Sequence, residues 1–194
     1  MTFPSFSVGE VLTAADMNAV GLWRVTSCTV TSVGGTAATA SNGVVTIGAG
    51  NTSVTIANAF SSDYANYRIV ISGATASVGS DYSFQFSGIT GSVYQTAGFY
   101  MTPGTATLNA YAPAAAVQWL IGSMNTVRFS SIFDVISPQL AQQKFFMNSA
   151  GISTTGYYQF SGLCTSTTSA TGFSLIPNTG NFQGGTVRVY GYRN

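Results

Sequence analysis

Alternation of apolar and polar positions sets the character of this chain. Asp81-Tyr82-Ser83-Phe84-Gln85-Phe86-Ser87 puts Tyr82, Phe84 and Phe86 on one face and polar residues on the other. Val127, Phe129, Ser131, Phe133 and Val135 form a second such face, ended by Pro138. A period of two marks a strand with one buried side. Tyr67-Arg68-Ile69-Val70-Ile71 reads as another strand, closed by Ser72-Gly73, and further strands fit residues 144–147, 157–163, 173–176 and 186–192. Upstream, Val30, Val33, Val44, Val45, Ile47, Val54 and Ile56 punctuate Thr-rich runs broken by Gly or Asn. Turn residues recur at the short spacing of a sandwich or barrel, with no βαβ rhythm. The prediction is an all-β fold, an antiparallel β-sandwich of jelly-roll-like topology over residues 22–194. An up-and-down barrel is the fallback.

Residues 1–21 break this pattern and predict an N-terminal arm. Phe3, Pro4 and Phe6 form an extended apolar lead, and Val11 and Leu12 follow. Thr13 then suits a helix cap and Asp16 the positive end of a short helix running to about Val20, where Gly21 stops it. So short a helix is unstable alone in water. The arm must therefore dock, either on the chain's own body or on a partner, and Phe3, Phe6, Val11, Leu12 and Met17 are the side chains it has to bury.

Elsewhere the signals are weaker. Residues 32–43 and 165–171 read as surface loops, as does the stretch Ala112-Pro113-Ala114-Ala115-Ala116, although a short helix or strand entrance is also compatible with it. Gly34-Gly35 and Gly184-Gly185 read as hairpin turns, since neither is followed by the Lys of a phosphate-binding loop.

Composition narrows the chemistry. Only 6% of the 194 residues are charged and none is His, against roughly a quarter charged in ordinary domains. Without His there is no Ser-His-Asp or Cys-His nucleophile and the commonest metal ligand is missing. Glu10, Asp16, Asp63, Asp81 and Asp134 are widely separated, so a glycosidase's carboxylate pair would have to be assembled by the fold, and no Asp-rich calcium loop is present. No catalytic residue, cofactor site or metal site is expected, and the protein does not read as an enzyme. The net charge of +1 gives no basic field for nucleic acid, so Trp23, Trp119 and the tyrosines read as core and interface aromatics. Cys28 and Cys164 match no zinc or redox spacing, and their pairing stays open. No secretory leader is expected at residues 1–9, and no apolar run is long enough to span a membrane as a helix. An outer-membrane barrel fits poorly, and no membrane insertion is expected.

Three segments resemble bacteriophage minor tail and tail-fibre proteins. Residues 6–18, Phe6-Ser7-Val8-Gly9-Glu10-Val11-Leu12-Thr13-Ala14-Ala15-Asp16-Met17-Asn18, are similar to their opening segment. Asn58-Ala59-Phe60-Ser61-Ser62-Asp63-Tyr64-Ala65-Asn66-Tyr67-Arg68-Ile69 is similar to their first core strand and its lead-in. Residues 171–177 and 184–194, the latter reading Gly184-Gly185-Thr186-Val187-Arg188-Val189-Tyr190-Gly191-Tyr192-Arg193-Asn194, resemble their closing hairpin. The resemblance implies a virion protein attached through its arm to other virion proteins, commonly trimeric, with a β-rich receptor-binding domain. The chain is short and lacks a shaft, so a compact tip, spike, collar or capsid-decorating subunit fits better than a long fibre. Residues 79–169 carry no part of the resemblance, and a receptor site is expected there. Tyr94, Tyr100, Asn109 and Tyr111 lie in a stretch that reads as loop-rich, where aromatic faces and amides suit a host surface glycan. The rival expectation is a head-fibre, capsid-decorating or cement protein with a purely structural role.

Overall fold

The computed structural model describes residues 21–102, 104–105, 107–153 and 156–192. The predicted helix over 13–20 and the attachment residues Phe3, Phe6, Val11, Leu12 and Met17 lie outside the described residues. The first strands are β1 (Leu22–Arg24), β2 (Thr29–Val33), β3 (Thr39–Ser41), β4 (Val44–Thr46) and β5 (Ser53–Ala57). The middle of the chain forms β6 (Asn66–Ala76), β7 (Ser80–Phe86), β8 (Tyr94–Met101), β9 (Leu108–Tyr111) and β10 (Trp119–Met124). Then come β11 (Phe129–Ile136), β12 (Lys144–Ser153), β13 (Gly156–Cys164), β14 (Phe173–Pro177) and β15 (Phe182–Tyr192).

These strands build the predicted antiparallel β-sandwich from two sheets of unequal width. The larger has ten strands in the order β3-β4-β15-β6-β11-β12-β13-β8-β9, with β1 added on β15; the smaller runs β10-β7-β14-β5-β2. The alternation seen in the sequence is what joins them. Tyr82, Phe84 and Phe86 of β7 are at most 1% exposed. Phe84 stacks on Phe173 at 4.8 Å within its own sheet and meets Phe133 of the opposite sheet edge-on at 5.8 Å. Trp119 stacks on Phe84 and reaches Phe146 across the sandwich at 4.8 Å. Each such ring contributes roughly 1.5–3 kcal/mol by burial.

Several local expectations are corrected. Gly73 does not end its strand: at φ +59° it forms a bulge, and β6 continues to Ala76 on the far side. Gly184-Gly185 is not a hairpin turn but a second irregularity inside β15, at φ +147° and +121°, where the register against β6 shifts. Gly34-Gly35 follows β2 where the chain leaves the small sheet for the large one. The hairpin turn lies instead at Asn42-Gly43, both at positive φ, between β3 and β4. Residues 32–43 are correspondingly not one loop. The closing segment is also not a hairpin, because β14 pairs with β5 and β7 while β15 pairs with β6, β4 and β1. A pattern of two shows where a strand lies, but not which sheet receives it.

Candidate functional site

The wide sheet overhangs the narrow one, and the overhang exposes part of its inner face. Along β8 the inward residues are Tyr94, Thr96, Gly98 and Tyr100; the first two are buried and the last two only partly so. Trp119 of β10 covers the buried end, packing on Tyr94 at 5.5 Å and donating its indole N–H to the Leu163 carbonyl at 3.2 Å. Beyond it the inner face is only partly covered: Gly98, Tyr100, Asn109, Tyr111 and Tyr158 are half-buried, while Phe160 is buried.

Three strands furnish that shelf. Tyr100 lies opposite Asn109 of β9 on one side and opposite Tyr158 of β13 on the other. The rings of Tyr100 and Tyr158 stack at 5.8 Å with 20° between their planes. One step inward, Gly98 lies between Tyr111 and Phe160 in the same manner. A Cβ on Gly98 would sit 2.1 Å from the Gln159 carbonyl oxygen and 2.6 Å from the Phe160 ring. Because position 98 has no side chain, Tyr111 and Phe160 meet across it, edge to face at 5.8 Å. Tyr158 tilts against Phe160 at 6.1 Å and completes the row.

The structure thus brings together three of the four residues expected to contact a receptor. It places them in strands, not in loops as the sequence suggested. Tyr94 is the exception: it is fully buried, and its hydroxyl donates to the Ile89 carbonyl at 2.9 Å and accepts the Phe86 amide at 3.0 Å. Burial pushes that hydroxyl's pKa upward. Tyr94 is a core residue and is withdrawn from the shelf. Sequence reading missed Tyr158 and Phe160 as partners of the shelf. Their alternation in the run Tyr157-Tyr158-Gln159-Phe160 puts both on one face, but nothing local says that β13 pairs with β8.

Charge is sparse around the shelf. Burial raises the pKa of the Tyr111 hydroxyl, and the Asp81 carboxylate raises it further. Asp81 is itself half-buried, and desolvation lifts its pKa above 3.8. The other described carboxylates are occupied. Asp134 takes a two-pronged contact from Arg68, with Nε and Nη2 each at 2.8 Å, and accepts the Tyr192 hydroxyl at 2.7 Å. Asp63 accepts the Ser61 hydroxyl at 2.9 Å. Lys144 is buried with no carboxylate partner among the described residues and donates to the carbonyls of Gln142 and Ser166. Cys28 and Cys164 are free, buried thiols, and burial pushes Cys28 up to about 11. Among the described residues, no three His, Cys, Asp or Glu side chains gather where they would hold a metal.

The outer face of the same sheet carries an apolar patch over β12, β13 and β8. Phe145 and Met147 of β12 are 45% and 56% exposed. They border an open groove of about 680 Å³ whose other walls include Ile136, Leu163, Ala97 and Pro113. Exposed Ile132 lies on the same face of β11, separated from Ile136 by the Asp134–Arg68 pair.

No protein-family model matches the chain, and no curated protein matches it either.

Proposed function

We propose that this chain is a bacteriophage virion structural protein, a tail-fibre or receptor-binding subunit that assembles through residues 1–21 and presents its β-sandwich to the host surface. The observation that carries the receptor role is the partly covered shelf of Tyr100, Tyr111 and Tyr158 beside Asn109. Flat aromatic faces take the apolar side of a sugar ring, and an amide supplies a donor and an acceptor for its hydroxyls. A host surface glycan is therefore the ligand class. The placement of the resembling segments supports the virion reading. In the sheet, Asn66 lies opposite Tyr192 and Tyr67 opposite Gly191, while Leu22 at the foot of the arm flanks Tyr192. The arm's exit and two resembling segments thus form one block, and the shelf comes wholly from the intervening residues.

A homotrimer is the proposed assembly, because a sheet face with exposed Phe145, Met147 and Ile132 calls for cover. The test is binding of purified protein to host surface polysaccharide. Binding that survives Tyr100→Ala and Tyr111→Ala together would overturn the assignment of the shelf.

The same apolar outer patch favours a second reading, a capsid-decorating or cement subunit that buries it against other virion proteins. Gold-labelled antibody on intact particles separates the two: label at the tail tip supports the receptor role, and label on the head supports decoration. The reading includes no enzymatic role. Release of sugar from host polysaccharide that disappears in Asp81→Asn and Asp134→Asn variants would overturn that part.

A further inference from the structure

We propose that in the free subunit the outer groove on β12, β13 and β8 is the seat of the chain's own residues 1–20. The proposal goes beyond the virion reading, because it concerns the isolated protein and needs no virion partner.

Reach is the first argument. Leu22, where the arm leaves the sheet, lies on one transverse row with Tyr192, Asn66, Ile136, Phe145, Leu163 and Gln95. Strands are spaced about 4.8 Å apart, so Phe145 is about 19 Å from Leu22 and Gln95 about 29 Å. If residues 13–20 are helical they advance about 12 Å, and each extended residue beyond adds about 3.3 Å. Counted this way, Val11 falls over Phe145 and Val8 over Gln95. Phe6 then arrives about 35 Å along the row. That is beside Pro113, whose carbonyl accepts the Thr96 amide on the groove's far wall.

Chemistry is the second argument. The groove's walls are apolar, and Phe145 and Met147 stand open to solvent. The arm carries the matching side chains, Phe3, Phe6, Val8, Val11 and Leu12, in an order that follows the row outward.

Charge is the third. The arm holds Glu10 and Asp16 and no Lys or Arg. Arg24 and Arg188 lie on this side of β1 and β15, and neither has a carboxylate partner among the described residues. They stand two and four residues along their strands from the row that begins at Leu22 and Tyr192, on the face that an acidic arm would cross.

The groove thus keeps the aromatic lead out of solvent until assembly, when a partner surface takes it over. The experiment uses the full chain, purified at low micromolar concentration. Val11→Cys with Phe145→Cys is oxidised gently, and Val11→Cys with Val33→Cys, on the opposite sheet, is the control pair. The expected result is a cross-link within one chain for the first pair only. A cross-link between chains assigns the groove to a second copy and overturns the proposal, as does a yield no higher than the control. In parallel, Met147→Glu, an exposed position that need not disturb the core, is expected to speed protease cleavage within residues 1–20 about tenfold. Equal cleavage of parent and variant also overturns it. Every arm reads the free protein, so failure here leaves the virion reading standing.

Discussion

Tyr111 and Phe160 meet edge to face at 5.8 Å although a whole strand lies between them, because that strand offers only Gly98 at the crossing. Two side chains separated by an intervening strand are normally about 10 Å apart. The shelf therefore depends on a missing side chain as much as on those present. Gly98→Val should destabilise the fold by about 1–3 kcal/mol, the usual cost of overpacking. It should also separate Tyr111 from Phe160, so glycan binding falls in the fraction that remains folded. Urea unfolding checks the first effect and a binding titration well below the midpoint checks the second. Unchanged stability would mean that the close approach at Gly98 is absent in solution.

Tyr94 and Tyr100 lie six residues apart on one face of β8 and should respond in opposite ways. Tyr94→Phe removes the hydroxyl that joins the Phe86 amide to the Ile89 carbonyl, leaving both buried groups without it. An unsatisfied buried polar group costs about 1–3 kcal/mol, so this variant should lose stability and keep its ligand. Tyr100→Ala removes a partly exposed ring and should lose about tenfold or more in glycan affinity with a smaller change in stability. Denaturation and binding measured on both variants decide the assignment. If Tyr94→Phe were the one to lose the ligand, the shelf would be in the wrong place.

Asp134 holds the outer face of the central strands. It joins β11 to Arg68 of β6 and, through the Tyr192 hydroxyl, to β15, while the Arg68 guanidinium lies 5.6 Å from the centre of the Tyr192 ring. The pair is partly solvated, and exposed pairs contribute at most about 1 kcal/mol. The two-pronged geometry and the added hydroxyl bond raise the expectation for Asp134→Ala to about 1–2 kcal/mol. Part of that loss should vanish for the parent in molar salt, because screening weakens the attraction the variant lacks. Thermal unfolding at low and high salt measures both.

How far this was legible beforehand differs between fold and site. The strands with clean alternation, β7, β11 and β14, could be read directly, since Phe84, Phe133 and Phe173 announce their own buried face. β8 and β9 could not, because Gly98, Ala110 and the polar residues between aromatics blur the period. Tyr94, Tyr100 and Tyr111 consequently look alike in sequence. What separates them is the width of the small sheet, and that depends on where β10 docks. The groove was hidden for the same reason. Phe145 and Leu163 are neighbours only because β12 and β13 form an antiparallel pair, and no local pattern marks a face that the second sheet leaves bare.

Asp81 carries the pH dependence. Desolvation raises its pKa in the fold above 3.8, and no side-chain hydrogen bond offsets that burial. The folded state then holds its proton at pH values where the unfolded chain has released it. Stability from this group is therefore greatest below 3.8, falls as pH rises towards the raised value and is constant above it. Asn in its place cannot titrate and keeps the shape. Asp81→Asn should consequently gain stability relative to the parent between about pH 3 and about pH 7, with the whole gain appearing inside that window. Urea unfolding of both proteins at the two pH values is sufficient, provided both stay folded. A stability difference that is the same at both would show that Asp81 is as well solvated in the fold as in the unfolded chain. Its negative charge would then be removed from the low-dielectric edge where it raises the Tyr111 hydroxyl's pKa, and the electrostatic description of the shelf would have to change with it.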